Sequence, residues 1–364
     1  MMRPESPLPP RSVIGILGGG QLGRMLALAA AQIGLKCHIF APEGDNPAFE
    51  VADCCTEAAY DDHAALAKFA RSVAVATYEF ENVPVEAALT VAAVTPLAPG
   101  AGILEVTQDR LQEKRFVRGR GIAVPDFLPV SSVGELAAGL DRIGRPAVLK
   151  SRRLGYDGKG QAVIEAGDDP ARAYASIGGV PAIVEAFVPF AAEISVIAAR
   201  AGNGAFAAYD IPENHHRGGI LRRSVVPAAI GAETAEAAEG IAMRLMADLD
   251  YVGVMATEMF LVKDEAGDRL LVNELAPRVH NSGHWTIDAC AVSQFEQHIR
   301  AIAGWPLAAP SRHSNAVMEN LIGDEVESWR ERAAEPRLAL HLYGKSEIRP
   351  GRKMGHFTRL MPRN

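Results

Sequence analysis

The chain has 364 residues, 48% of them hydrophobic and 22% charged, with a formal net charge of −7. That length predicts two or three domains around sizeable cores, and the acidic balance excludes a general nucleic-acid binder while leaving open small anionic ligands, which sense local charge. No apolar run approaches the length of a membrane span, and the N-terminus, with Pro4, Pro7, Pro9 and Pro10, lacks the apolar core of a secretory signal. Cysteines 37, 54, 55 and 290 show no metal-ligand spacing, and a disulfide between neighbours Cys54 and Cys55 would be strained. Reduced, mostly buried thiols in a cytoplasmic protein are expected.

In chain order, Val13–Leu17 reads as a buried strand, Gly18–Gly23 as a tight turn and Met25–Ile33 as an alanine-rich helix. Lys36–Phe40 and Val73–Thr77 read as further strands separated by helical material, an alternation that implies a parallel sheet covered by helices. Thr95–Gly100, with two prolines, closes this unit, and Thr107–Arg118 follows as a charged helix. A small α+β unit spans Pro125 to Phe187, with strands at Ala147–Lys150, Ala162–Ile164 and Ala182–Glu185 and helices near 131–142 and 170–176. Strands are then expected at Glu193–Ala199, Ala205–Asp210, Val254–Leu261 and Leu270–Leu275, with helices at Thr234–Leu249 and Val292–Ala303. The tail reads as short strands, including Leu338–Tyr343 and Gly355–Leu360. The division expected is 1–106, 107–308 with a lid near 124–187, and 309–364.

The segment from Lys150 to Gln161 carries three glycines beside Lys150 and Lys159. Glycine lets amide groups converge on an anion and lysine adds charge, so such a loop can cover a polyphosphate. It lacks Walker spacing, and standing alone it would read as a glycine-rich hairpin turn. Gly18–Gly23, between a strand and a helix, can hold a phosphate or carboxylate at the helix N-terminus. An anion or substrate site is favoured there over a dinucleotide site, because no clean acidic residue ends the second strand. Glu79 and Asn82, just past a strand of the parallel sheet, either hydrogen-bond a polar substrate or are solvated and cap the next helix.

Glu258 and the Asn273-Glu274 pair interrupt two apolar strands, a costly placement unless they are paired or metal-bound. Mg²⁺ ranks ahead of an ion pair with Arg278 or Lys150, because a phosphate loop is already in view. In Ala276–Trp285, Arg278 can fork onto a carboxylate or phosphate and His280 can donate or titrate near neutral pH. Pro277 and Gly283 argue against the helix that a His280/His284 zinc site would need. Gly351–His356 sets Arg352 and Lys353 between glycines, with Lys345 and Arg349 nearby; such a turn is commonly solvated, and it can also hold a phosphate monoester.

Together these motifs resemble the ATP-grasp superfamily and, within it, the N5-carboxyaminoimidazole ribonucleotide synthases of purine biosynthesis. The resemblance runs from Ile14 to about Phe357 and rests on GGGQLGRM from Gly18, GYDGKGQ from Gly155, NELAPRVHNSGHWT from Asn273 and GRKMGH from Gly351. It implies an N-terminal Rossmann-like pre-ATP-grasp domain, an ATP-grasp domain of α+β type and a small β-rich C-terminal domain. It also implies ATP and Mg²⁺, bicarbonate and 5-aminoimidazole ribonucleotide as substrates, carboxyphosphate as intermediate, and a homodimer.

By the same resemblance, nucleotide contacts fall to Arg110, Lys150, the loop Gly155, Tyr156, Asp157, Gly158, Lys159, Gly160 and Gln161, the adenine hinge Glu185, Ala186, Phe187 and Val188, and to Glu193, His216, Asn273 and Glu274. Mg²⁺ falls to Glu258 and Glu274. The reaction centre falls to Tyr156, Asp157, Arg278, His280 and Lys353, and the ribonucleotide to Gln21, Glu79, Asn82, Lys345, Arg352 and Lys353. Leu154 and Val279 depart from the family pattern, at positions that shape loops more than chemistry. A formate-dependent glycinamide ribonucleotide transformylase is the nearest rival; an NAD-dependent oxidoreductase and an ATP-binding regulatory module are more distant ones.

Overall fold

The computed structural model describes residues 7–155, 158–265 and 267–363. Near the N-terminus four parallel strands run in the order Cys54–Glu57, Lys36–Ala41, Val13–Leu17, Val75–Tyr78. The two central strands are almost wholly buried because both faces are covered, with His38 the one buried polar side chain of the second. Strand order reverses between Val13–Leu17 and Val75–Tyr78, so their carboxyl ends open a crevice of the kind where α/β sheets bind ligands.

The helix expected at Met25–Ile33 spans Gln21–Gln32 instead, because its first turn is built from the residues read as a glycine turn. The edge strand Cys54–Glu57 was not expected, and it leaves Cys54 and Cys55 exposed. The expectation of mostly buried thiols therefore holds only for Cys37 and Cys290, and all four are free.

Asp109 caps the helix Arg110–Gly119, its carboxylate accepting from the Leu111 N–H at 3.0 Å. Beyond that helix a four-stranded antiparallel lid sheet forms in the order Phe127–Val130, Ala182–Ala186, Ala147–Ser151, Gln161–Ile164. The main sheet is antiparallel throughout, in the order Gly267–Ala276, Gly253–Asp264, Ala192–Arg200, Glu213–Arg217, Ile220–Val226, Asn315–Ile322, Lys353–Met361, Leu338–Leu342, with Phe206–Ala208 beside Ala192–Arg200. The C-terminal strands are thus hydrogen-bonded onto the sheet that carries Glu258 and Glu274, through pairing of Ile220–Val226 with Asn315–Ile322.

One apolar cluster runs from Ile14, Ile16 and Leu26 to Val254, Trp285, Phe295 and Met318, so the N-terminal sheet and the main sheet share a core. A buried hydrogen bond between Thr77 Oγ1 and His298 Nε2, 2.8 Å, crosses the same boundary. This shared core fixes the crevice of the first sheet against one face of the second.

Candidate active site

Glu258 and Glu274 are direct cross-strand partners, at a bulge where the register shifts after Glu258. Partners across an antiparallel pair project to one face, so two carboxylates are forced together, Glu258 buried and Glu274 half-buried. Arg110 Nη1 reaches Glu274 Oε2 at 2.8 Å, and Arg110 Nη2 donates to the Gly155 carbonyl at 3.4 Å. The two sequence motifs expected to meet therefore do so through one guanidinium. The ion pair expected as the alternative does not form with Arg278 or Lys150: Arg278 Nε is bonded to Glu81, and Lys150 Nζ sits 2.6 Å from Glu185 and 3.2 Å from Asn273 Oδ1.

The electrostatics follow from this packing. Burial opposes ionisation of Glu274, but the charge and hydrogen bond of Arg110 win and hold its carboxyl down to about 2. Glu258 is pushed up to about 7 by burial and by the Glu274 charge. A carboxylate that resists ionising beside one that is ionised and lines the cavity fits a divalent cation with oxygen ligands.

His280 Nε2 lies 3.3 Å from Glu258 Oε1, and its Nδ1 accepts from the Ser282 N–H at 3.3 Å. Burial and the Arg278 charge push His280 down to about 3, so the ring is neutral and does not titrate near neutral pH as expected. With Nδ1 accepting, the assigned tautomer carries its proton on Nε2 and offers it as a donor.

The glycine turn is the main correction. The N–H groups of Gly20 and Gly23 donate to the Glu79 carboxylate, Gly23 at 2.6 Å, and the helix Gln21–Gln32 has no side-chain cap of its own. The anion at this helix N-terminus is thus an internal carboxylate supplied 56 residues later in the chain. It occupies the place an external phosphate would take, which removes both the external-anion reading and the dinucleotide reading of the turn. Glu79 is neither solvated nor a cap for the following helix; at 6% exposure it still lines the cavity.

A cavity of about 480 Å³ is lined by Gln21, Glu79, Asn82, Arg110, Gly155, Glu274, Arg278, His280 and Lys353 among others. A second cavity of about 440 Å³ is lined by Gln21, Lys159, Lys345, Arg349, Arg352 and Lys353. Gln21 and Lys353 line both, so the basic C-terminal turn adjoins the reaction cavity. Lys345 Nζ donates to the Lys353 carbonyl at 2.7 Å, and Arg352 pairs with Asp45 at 2.8 Å. Burial, then the Arg352 charge, pushes Lys345 down to about 8.

The loop is indeed a hairpin turn, joining Ala147–Ser151 to Gln161–Ile164, and it also lines the cavity at Gly155. Gly158 (φ +78°) packs against the turn at Gly218 and Gly219, where an added Cβ would come within 2.6 Å of the Gly218 carbonyl. Tyr156 and Asp157 lie outside the described residues.

On the hinge, the Ala186 and Phe187 N–H groups donate to Asp126 O (2.8 Å) and Pro146 O (3.4 Å), so these two amides serve the lid and not a base edge. Glu193 and His216 face one another across neighbouring strands, bonded through His216 Nδ1. Asp288, His341 and His356 also cluster, with ligand atoms within 4.8 Å. The His341 and His356 rings stack at 4.6 Å and 15°, which sets their in-plane lone pairs side by side instead of on one point.

A sequence model of the ATP-grasp domain matches residues 115–295, one of the ribonucleotide synthetase pre-ATP-grasp domain matches 12–108, and one of the phosphoribosylaminoimidazole carboxylase C-terminal domain matches 316–363. An N5-carboxyaminoimidazole ribonucleotide synthase of Brucella melitensis is 52% identical over 99% of both chains. The chain belongs to the N5-carboxyaminoimidazole ribonucleotide synthase family. The solved synthetase of Thermus thermophilus has a TM-score of 0.87 at 45% identity, over 96% of this chain and 93% of its own. That of Aspergillus clavatus, in complex with ADP and 5-aminoimidazole ribonucleotide, has a TM-score of 0.90 at 29% identity, over 96% and 94%.

Within this synthase fold four charged groups escaped the sequence reading: Glu81, Asp109, Glu113 and Lys114. Asp109, besides capping its helix, takes Arg152 at 3.0 and 2.6 Å. Glu113 is pushed up to about 8 by burial and by Glu274. Lys114 is buried at 1% exposure against Glu185. Asp109 had a local signal as a cap residue before a helix, and Glu81 lies between Glu79 and Asn82 past the strand end; Glu113 and Lys114 sit in a polar run that looks solvated.

Proposed function

We propose that this chain carboxylates the amine of 5-aminoimidazole ribonucleotide with bicarbonate, using ATP and releasing ADP and phosphate. The observation that carries this reading is that Arg110, Gly155, Glu274, Arg278 and His280 line one cavity, which shares Gln21 and Lys353 with a second, lysine- and arginine-lined one. The first suits a nucleotide phosphate and a small acid, and the second suits a phosphate monoester.

Bicarbonate is a poor electrophile. Transfer of the ATP γ-phosphoryl group to a bicarbonate oxygen gives ADP and carboxyphosphate. Loss of phosphate from that intermediate releases carbon dioxide, and the amine lone pair forms the new carbon–nitrogen bond as the nitrogen gives up a proton. Such transfers depend on alignment and charge neutralisation. Glu258 and Glu274 would hold Mg²⁺, which when bound neutralises phosphate oxygens.

Arg110 and Lys150 would contact the nucleotide phosphates beneath the loop 155–161, Val188 and neighbouring groups the base, and Glu193 with His216 the ribose side. Arg278, steered by Glu81, faces the carboxyphosphate charge. Neutral His280 donates from Nε2, and Asp157 orients the amine or takes its proton. Gln21, Asn82, Lys345, Arg352 and Lys353 would hold the ribonucleotide, with Glu79 shaping its wall. We assign the domains as 1–106, 107–308 and 309–364, the protein to the cytoplasm and the active form to a homodimer.

A coupled ADP-release assay tests this reading. Turnover should require bicarbonate together with aminoimidazole ribonucleotide. Formate-dependent turnover with glycinamide ribonucleotide would replace it with the transformylase reading.

A further inference from the structure

Lys114 belongs to no role assigned above, yet it is among the most buried charges in the molecule. Its side chain is 1% exposed, and Nζ lies 3.0 Å from Glu185 Oε1 and 3.3 Å from the Val272 carbonyl. Glu185, 2% exposed, also holds Lys150 through Oε2 at 2.6 Å. Three charged groups therefore share one dry site where the helix Arg110–Gly119, the lid strands and the main sheet meet. Two lysine amines face the one Glu185 carboxylate, each at a different oxygen.

The two lysines are not equivalent. Lys150, with 10% of its side chain exposed, has a second contact at Asn273 Oδ1, beside Glu274. Lys114 is enclosed and tied to main chain. If Lys150 turned to a phosphate with no other cation at hand, Glu185 would be left as a bare buried carboxylate, which is strongly unfavourable. With Lys114 in place, Glu185 stays compensated while Lys150 moves.

We propose that Lys114 is a positioning residue for the nucleotide: it holds Glu185 neutralised so that Lys150 can exchange its carboxylate for the ATP phosphates. This rests on Lys150 serving the nucleotide, as assigned above. It also explains why two lysines share Glu185, since a purely structural pair would need only one.

The test uses the full-length enzyme and steady-state ADP release with bicarbonate and ribonucleotide saturating. Lys114→Met should raise the KM for ATP roughly tenfold or more and change kcat by less than about threefold, because Lys150 is then locked to Glu185. Adding Glu185→Gln should restore most of the lost ATP affinity, because a neutral amide no longer holds Lys150. An unchanged KM in Lys114→Met, or a loss that Glu185→Gln does not reverse, overturns the proposal.

Should Lys114→Met fail to fold, Lys114→Met/Glu185→Gln is compared with Glu185→Gln alone. The two should share one KM for ATP, and a difference beyond about threefold overturns the proposal, since Lys114 would then act by another route. Lys150→Met separates the two levels. If it leaves ATP affinity intact, the nucleotide assignment itself fails; if it weakens ATP while Lys114→Met does not, only the role of Lys114 fails.

Discussion

Glu79 and the Glu258/Glu274 pair place carboxylates beside one cavity, and the fold answers them in opposite ways. At Glu79 the answer comes from backbone, since the open amides of Gly20 and Gly23 donate to the carboxylate. At Glu258 and Glu274 the fold brings two carboxylates together and offers side chains, the Arg110 guanidinium to Glu274 and the neutral His280 ring to Glu258. The lesson is that a buried acid is not by itself a ligand site. What matters is which donors face its charge: backbone amides at Glu79, and at the pair one guanidinium for two carboxylates.

The sharpest way to break the comparison is to neutralise each end in turn. Glu274→Ala should lower kcat on the order of 10³-fold or more, with folding intact by circular dichroism. A variant with wild-type turnover would remove Glu274 from the reaction. Glu79→Gln should register first in thermal denaturation, with a loss of about 1–2 kcal/mol, because an amide NH2 cannot accept from one of the two N–H groups. If instead Glu79→Gln stops turnover at unchanged stability, the cavity face of that carboxylate outweighs its contact with the amides.

The basic cavity gives smaller effects. Lys353→Met should raise the KM for the ribonucleotide roughly tenfold and that for ATP far less. Equal changes would move Lys353 away from the substrate junction. Lys345 supplies a pH signature. Its folded value of about 8 lies below the ordinary lysine value of 10.5, so its charge is present below that pH and lost above it. Ribonucleotide affinity should therefore weaken as pH rises through about 8, and Lys345→Arg should flatten that limb. The same depression means the charged lysine costs stability at neutral pH, a cost that disappears as pH rises from about 8 toward 10.5.

Much of the site was legible because its residues break a local pattern. Glu258 and Glu274 interrupt apolar strands, Gly158 and Gly160 punctuate a hairpin, and Arg278 with His280 crowd a turn. The strands Glu213–Arg217, Ile220–Val226 and Asn315–Ile322 were missed because they carry charged or polar residues inside the sheet, which mask the alternation. Lys114 and Glu113 were missed for a related reason. On a charged helix nothing local tells an enclosed side chain from a solvated one.

By itself the amino-acid order determined the parallel first sheet, the lid hairpin and the acidic and basic residue types of the cleft, since each is written in short-range periodicity and turn chemistry. Tertiary structure alone decided who answers whom: Glu79 for the glycine turn, Arg110 for Glu274, Glu81 for Arg278, and Lys114 for Glu185. Those pairings join residues 56 to 197 positions apart, or meet across separate sheets. Charge compensation acts through space over a few ångströms, and no local pattern in a sequence records it.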